Sequence, residues 1–366
     1  MNIIRKLQIL VGVVSLVLVT GCGEARKPNE VPPTKIRFSV APFQDTLLPV
    51  VGVVKGWYQQ EGLDVEIVPT DWYSTQESLA SGHIDVGMGN IASVIGAHHN
   101  FPDGRILLLF NTFDNGFAIM IRQKSGMKTA AQLERELGSP EKAALAAIRQ
   151  LRGKSVITTS QTDMEQVVAY AVRAAGMELG KDVKVIDLEP DEGLSAFLHG
   201  SGDAYLGGIP QRTRALKQGS VELLSGPMLG PSEINGIVST GKFAQAHEEA
   251  VLKLVRVMFK IVDYTNKNLD EVASIIVGQM KKSDFTVDDF KRFWNNYEHY
   301  VATPTEARQR ILSPDSPTYW KRRWDDSNYY FLRINNQKSR IPMAVDPSGV
   351  FLMPEILDAY VRKYGE

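Results

Sequence analysis

Residues 71–90 read DWYSTQESLASGHIDVGMGN. Two aromatics and a run of hydroxyls lead into a short helical stretch, STQESLASG, for which Ser74 is the expected cap. Gly82 ends it, and IDVGMG follows, apolar, glycine-studded and opened by a carboxylate. A strand apolar along its length suits a sheet covered on both faces, as parallel sheets built from alternating strands and helices are. The unit returns at residues 189–208, EPDEGLSAFLHGSGDAYLGG, which align with it without gaps: Gly82 falls on Gly200, Asp85 on Asp203 and Gly87 on Tyr205. Two α/β lobes, each with one copy of a strand, loop, helix, strand unit, account for the repeat; chance coincidence of Gly and Asp is the alternative. Asp85 and Asp203 each start a strand, opposite the end where ligands gather, and are read as strand-entry residues.

The alternation extends in both directions. KIRFSVA (35–41) reads as a strand, TLLPVVGVVKGWYQQEG (46–62) as one helix stopped by Gly62, and LDVEIVP (63–69) restores period two. Residues 90–100, 105–111 and 117–122 continue the series, and a helix pair spans 129–151, with Ser139 capping its second member and Pro140 in the first turn. A second series follows at 155–159, 163–176, 182–189, 191–200, 203–208 and 210–219. One more strand, INGIVSTGKF (234–243), precedes long helical stretches and an aromatic tail from Trp320.

The N-terminus, MNIIRKLQILVGVVSLVLVTGCGE, carries Arg5 and Lys6 before an apolar run at 7–19 that is too short to span a bilayer comfortably. It reads as a signal peptide. Val19, Thr20, Gly21 and Cys22 resemble a bacterial lipobox, so cleavage after Gly21 and acylation of Cys22 are expected; an ordinary signal peptide is the alternative. Cys22 is the only cysteine of the 366 residues, which excludes intramolecular disulfides and multi-cysteine metal sites. The polar, proline-bearing residues 22–34 suit a tether. What remains exceeds one ordinary core, and a net charge of −1 gives no basic excess for nucleic acid.

KGWYQQEGLDVEIV followed by SLASGHIDVGMGN, and LRGKSVITTS followed by DVKVIDLEPDEGLSAFLHGSGDAYLGGIP, resemble the substrate-binding proteins of ABC importers. The group is the one that serves sulfonates, taurine, nitrate and thiamine-pyrimidine precursors. The resemblance covers roughly residues 35–267. It implies a type II periplasmic-binding-protein clamshell of two mostly parallel α/β lobes, with a helical C-terminal extension in this chain. Expected divisions are signal peptide 1–21, tether 22–34, first lobe 35–121, second lobe 122–230, and a return to the first lobe with the extension at 231–366. Crossings are expected near 117–124 and 225–236. The implied partners are a small-molecule ligand, a permease and its ATPase, with a membrane reached through the lipid anchor only, the protein itself being a monomer. A ligand-sensing or adaptor lipoprotein is the alternative, and the same fold also hosts enzymes.

In open parallel sheets ligands bind beyond the carboxyl ends of strands. Those ends supply Phe43, Gln44 and Asp45; Asp71, Trp72, Tyr73 and Ser74; Asn90; Thr159, Ser160, Gln161, Thr162 and Asp163; Glu189 and Asp191; Pro210 and Gln211. Trp72 and Tyr73 could stack on a ring or cover a helix end, and the hydroxyls at 159–162 could face a ligand or cap a helix. Acidic residues outnumber basic ones at these ends, which favours an amine-bearing or heteroaromatic ligand over a sulfonate or nitrate. Arg212 and Arg214 could meet an anion, a solvated helix face being the plainer reading. The six histidines show no metal-ligand spacing, and nucleophile-elbow and phosphate-loop motifs are absent, so neither catalysis, a metal nor a cofactor is expected.

Overall fold

Ile36, Phe38 and Val40 of the first alternating run are at most 3% exposed, so period two does bury one face there. The computed structural model describes residues 32–72, 74–280, 284–337 and 344–365; the expected signal peptide, Cys22 and Tyr73 lie outside them. The chain runs β1 (Thr34–Val40), α1 (Leu48–Val54), α2 (Trp57–Gln60), β2 (Leu63–Pro69), α3 (Thr75–Ala80), β3 (Val86–Asn90), α4 (Ile91–Ala97), β4 (Gly104–Phe113) and β5 (Ala118–Arg122). Next come α5 (Ala130–Leu137), α6 (Pro140–Arg149), β6 (Ser155–Thr158), α7 (Asp163–Ala174), β7 (Lys184–Asp187), α8 (Pro190–Leu198), β8 (Ala204–Tyr205), α9 (Ile209–Lys217) and β9 (Ser220–Ser225). It closes with β10 (Glu233–Thr240), α10 (Gly241–Ala246), α11 (Glu248–Lys267), α12 (Leu269–Gln279), α13 (Val287–Asn296), β11 (His299–Tyr300), α14 (Pro304–Ala307), α15 (Trp320–Gln337) and α16 (Met353–Tyr364).

Two sheets result, ordered β11-β4-β10-β3-β1-β2 and β7-β6-β8-β5-β9. The fold is a two-lobed α/β clamshell with a helical C-terminal region. Strand for strand, β2-β1-β3-β10-β4 matches β7-β6-β8-β5-β9. In each sheet the strand arriving from the other lobe, β10 or β5, runs antiparallel to both neighbours. The expected parallel sheets thus each carry a reversed strand, because a strand fed from the opposite lobe starts at the cleft edge, where the others end.

The first crossing lies between Phe113 and Ala118, so the strand expected to close the first lobe pairs with β8 and β9 of the second sheet. Asp114, Asn115 and Gly116 mark a turn there, but nothing local distinguishes a turn that changes lobe from one that stays within a sheet. The second crossing joins β9 to β10. The run at 46–62, read as one helix, is broken into α1 and α2 at Gly56, whose φ of 68° is left-handed. α6 buries Ala143, Ala144, Ala147 and Ile148, whereas α5 buries none of its side chains. In the C-terminal region Trp324, Phe331, Met353 and Leu357 join the core of the first lobe.

The two copies of the repeat occupy matching places. Asp85 Oδ2 accepts the backbone N–H of Arg37 at 2.8 Å, and Asp203 Oδ2 accepts that of Ser155 at 2.9 Å. Each aspartate's own N–H donates back to that same residue's carbonyl, at 3.0 Å in both lobes. The carboxylates therefore pin strand entry, β3 to β1 and β8 to β6, and neither lines the space between the lobes. Asp85→Ala or Asp203→Ala is expected to cost about 1 kcal/mol, seen as a lower urea midpoint with ligand affinity unchanged.

Candidate functional site

The loop after β1, the crossings and the first turns of α7 and α9 converge between the lobes. Phe43, Gln44, Asp45, Thr46, Trp72, Phe113, Phe117, Asp163, Met164, Gly208, Ile209 and Asn235 line this cleft, which is shut to about 20 Å³. Phe43 shuts it. Its ring belongs to the apolar cluster of the second lobe with Phe117, Met164 and Leu206. It rests on Gly208, where a Cβ would stand 2.6 Å from the ring, so only glycine admits this closure. Trp72 meets Phe43 edge-on at 6.0 Å and donates Nε1–H across the lobes to Asp163 Oδ1 at 3.3 Å. On the far side of Trp72 lies a cavity of about 350 Å³ between α3, α4 and the start of α7, lined by Gln76, Ser93, Phe101, Gln161 and Thr162 among others. Trp72 and Asp163 form the wall that the two spaces share.

The cleft floor is rich in acceptors. Asp45 takes hydrogen bonds from Asn235 Nδ2 at 2.7 Å, Gln44 Nε2 at 3.1 Å and Asn111 Nδ2 at 3.4 Å. Burial pushes its carboxyl up to about 6, against the pull of those donors. Behind it, Glu298 is pushed well above the usual range by burial and by Asp45, with the Tyr300 hydroxyl as its donor. Neither acid has a basic side chain within ion-pair distance among the described residues. The amides that serve Asp45 leave Gln44 Oε1, Asn111 Oδ1 and Asn235 Oδ1 buried without a donor. Asp163 is raised by burial, opposed by Arg323 and by the Trp72 donor. Among the described residues no lysine or arginine lines either space. The arrangement can stabilise positive charge and hydrogen-bond donors, and its rings can stack on a flat ligand.

Residues 29–277, about two thirds of the chain, match the NMT1-like family. The chain belongs to that family. A Bacillus subtilis (strain 168) protein, provisionally named an aliphatic sulfonates-binding protein, is 24% identical over 319 residues, 85% of this chain and 86% of that one. The periplasmic aliphatic sulphonate binding protein of Escherichia coli superposes with a TM-score of 0.63 at 14% identity, over 87% of this chain and 92% of the other. The periplasmic nitrate-binding protein of Synechocystis PCC 6803 gives 0.62 at 16% identity, over 92% and 90%. These likenesses fix the fold of this NMT1-like chain.

Of the residues expected at the site, Phe43, Gln44, Asp45, Trp72 and Asp163 meet in the cleft, and Gln161 and Thr162 line the neighbouring cavity. The rest of that set in the described chain has other partners or other places. Asn90 Oδ1 caps α4 by accepting from Ser93 N at 2.8 Å. Ser74 stands before α3 without capping it, its hydroxyl donating to the Asp71 carbonyl at 3.1 Å. Thr159 Oγ1 donates to Leu188 O at 2.9 Å, and Ser160 N donates to Asp187 at 2.8 Å. Pro210 is buried in the first turn of α9. Asp191 accepts from Gln211 at 3.0 Å and pairs with Arg214 at 2.8 Å. Glu189 is raised by burial and then by Asp71, an acidic pair that faces itself across the lobes. Gln161 has φ of 61°, the only left-handed non-glycine among the described residues.

Arg212 is not on a solvated face: 3% exposed, it pairs with Glu222 and donates to the Asn115 and Gly116 carbonyls of the first crossing. The strand-end rule missed Phe117 and Asn235 for one reason. They sit at the amino ends of β5 and β10, and in a reversed strand that is the end at the cleft. Asn235 is buried and polar within an apolar strand, a signal present in the sequence.

Proposed function

We propose that this chain is an exported solute-binding lipoprotein, anchored through Cys22, that captures a small organic molecule for an ABC importer. The ligand class is amine-bearing or heteroaromatic, ahead of a sulfonate or nitrate. The family match and the named functions of its relatives support the binding role and a permease with its ATPase as partners. The observation that carries the ligand class is the lining: Asp45 and Asp163 among aromatic rings, with no lysine or arginine among the described residues. An anion would have to displace buried carboxylates, whereas an ammonium would replace a missing counter-charge. The protein works as a monomer, and hinge rotation closes the lobes on the ligand. Among the described residues no helix is long and apolar enough to cross a membrane, so the lipid carries attachment in this reading.

A thermal-shift screen of amines, aminopyrimidines, sulfonates and nitrate tests both levels. Ligand at a hundredfold over its Kd adds about 2.7 kcal/mol, a rise of several degrees. Shifts by amines or aminopyrimidines support the ligand class; shifts by sulfonates or nitrate alone overturn it and keep the binding role; no shift by any compound counts against the role itself. Trp72→Ala is expected to weaken a hit by about tenfold or more through lost stacking, at ~1–2 kcal/mol, checked by calorimetric titration.

A further inference from the structure

α15 lies between the lobes and treats them differently. Toward the first lobe it is apolar: Trp324 and Phe331 sit in that core, and the Phe331 ring lies so close to Gly96 of α4 that a Cβ there would come within 2.6 Å. Arg323, Asp326, Ser327 and Tyr330 recur at i, i+3, i+4 and i+7, one stripe of a helix. Three of the four reach α7 of the second lobe. Asp326 accepts from Gln166 Nε2 at 2.7 Å and from Arg173 Nη2 at 3.0 Å. Ser327 Oγ donates to Gln166 Oε1 at 3.1 Å, and Tyr330 Oη to Glu165 Oε2 at 2.6 Å. One turn further, Arg333 donates to Glu178 at 2.7 Å. Arg323 pairs with Glu233, where the second crossing enters β10.

We propose that α15 is a clasp: anchored on the first lobe by apolar side chains, it holds the second lobe closed through polar contacts that require no ligand. The asymmetry is what a reversible latch needs. Hydrogen bonds given up on opening are replaced by bonds to water, while parted apolar side chains expose their surface with nothing in exchange. The contacts that must break on opening are mainly the cheaper kind, with Ala169 of α7 touching the apolar cluster. The clasp also reaches the site. Glu165 Oε2 takes both the Tyr330 hydroxyl and the backbone N–H of Gln161 at 2.7 Å, and Asp163 belongs to the same turn of α7. Seating the clasp therefore sets the left-handed Gln161 and the Asp163 carboxylate in their closed places before any ligand arrives.

Small-angle X-ray scattering on the whole purified protein without ligand tests this, and the outcome does not depend on the ligand class. Wild type is expected to be compact, and Asp326→Asn/Ser327→Ala/Tyr330→Phe to show a larger radius of gyration with an unchanged circular dichroism spectrum. If the triple variant does not fold, Ser327→Ala/Tyr330→Phe decides with a smaller increase. An unchanged radius in a folded variant, or a wild type as expanded as the variants, overturns the clasp.

Discussion

Asp45→Asn is expected to weaken binding of any amine ligand by about a hundredfold, or about 3 kcal/mol, the usual penalty for removing one member of a buried charge pair. The substitution keeps the shape, removes the charge and turns one of the two acceptor oxygens into an N–H donor, which faces amide donors from Gln44, Asn111 or Asn235 unless those amides turn their unpaired oxygens toward it. The wild-type pH dependence gives a second signature. The carboxyl titrates at about 6 in the empty protein instead of at 3.8 because burial disfavours its ionised form. An ammonium ligand needs the ionised form, so affinity is expected to rise about tenfold per unit as pH climbs toward 6 and to level off above it, with a proton released on binding below that point. Stability of the empty protein runs the other way. A folded-state value above the unfolded one means that the folded protein holds the extra proton, so the Asp45 contribution is fully present below about 4 and is lost as pH rises through about 6. Asp45→Asn should flatten the affinity profile and remove the Asp45 share of the stability profile, while the shares of Glu298, Glu233 and Asp163 remain. Calorimetric titrations and melting curves between pH 4 and pH 8, about four units that bracket the shift, decide it; an affinity flat across that window in wild type removes Asp45 from the site.

How far the sequence carried is best judged residue by residue. The repeat at 71–90 and 189–208 gave both lobes, because Gly82 and Asp85 recur with Gly200 and Asp203 and each pair does the same mechanical task. Strand and helix periods follow from local chemistry and were legible. Of the residues that line the candidate cleft, those legible in the sequence, Asp45, Trp72 and Asp163 among them, lie where parallel strands end. Asn235 and Phe117 were hidden by strand direction, which depends on a crossing that the apolar pattern does not mark. Arg212 and Arg214 are alike on the page, yet one is 3% exposed beneath the crossing and the other is held at the surface by Asp191. Burial of that kind is a property of the assembled lobes. The closure of the cleft is another, since it requires the Phe43 ring to meet the one residue in the second lobe without a Cβ in its way.

Arg323→Met is expected to be the most destabilising single change considered. The guanidinium and the Glu233 carboxylate are paired with side chains 1% and 0% exposed, and burial pushes Glu233 up while Arg323 opposes it. Methionine fills the space but leaves a carboxylate in the core without its counter-charge, at about 3–5 kcal/mol. Asp163 also loses the positive field that favours its ionised form. For a chain of this size the melting temperature should fall by about 4–7 °C. The pH dependence identifies the cause. With Arg323 gone, the folded-state value for Glu233 rises further above the ordinary 4.5, so the folded variant escapes the penalty by keeping a proton. Its deficit relative to wild type should therefore be smallest below about 7, the wild-type folded value, and grow as pH rises beyond it. Adding Glu233→Leu removes the orphaned charge and is expected to restore most of the loss, since apolar replacement of a buried pair is often neutral. Restoration stays incomplete, because Asp326 also lies near the guanidinium, at 3.7 Å, and would lose it. Urea midpoints of the single and double variants at acid and alkaline pH test the account. A deficit independent of pH, or a double variant no better than the single one, would mean that Arg323 stabilises the hinge by packing and not by charge.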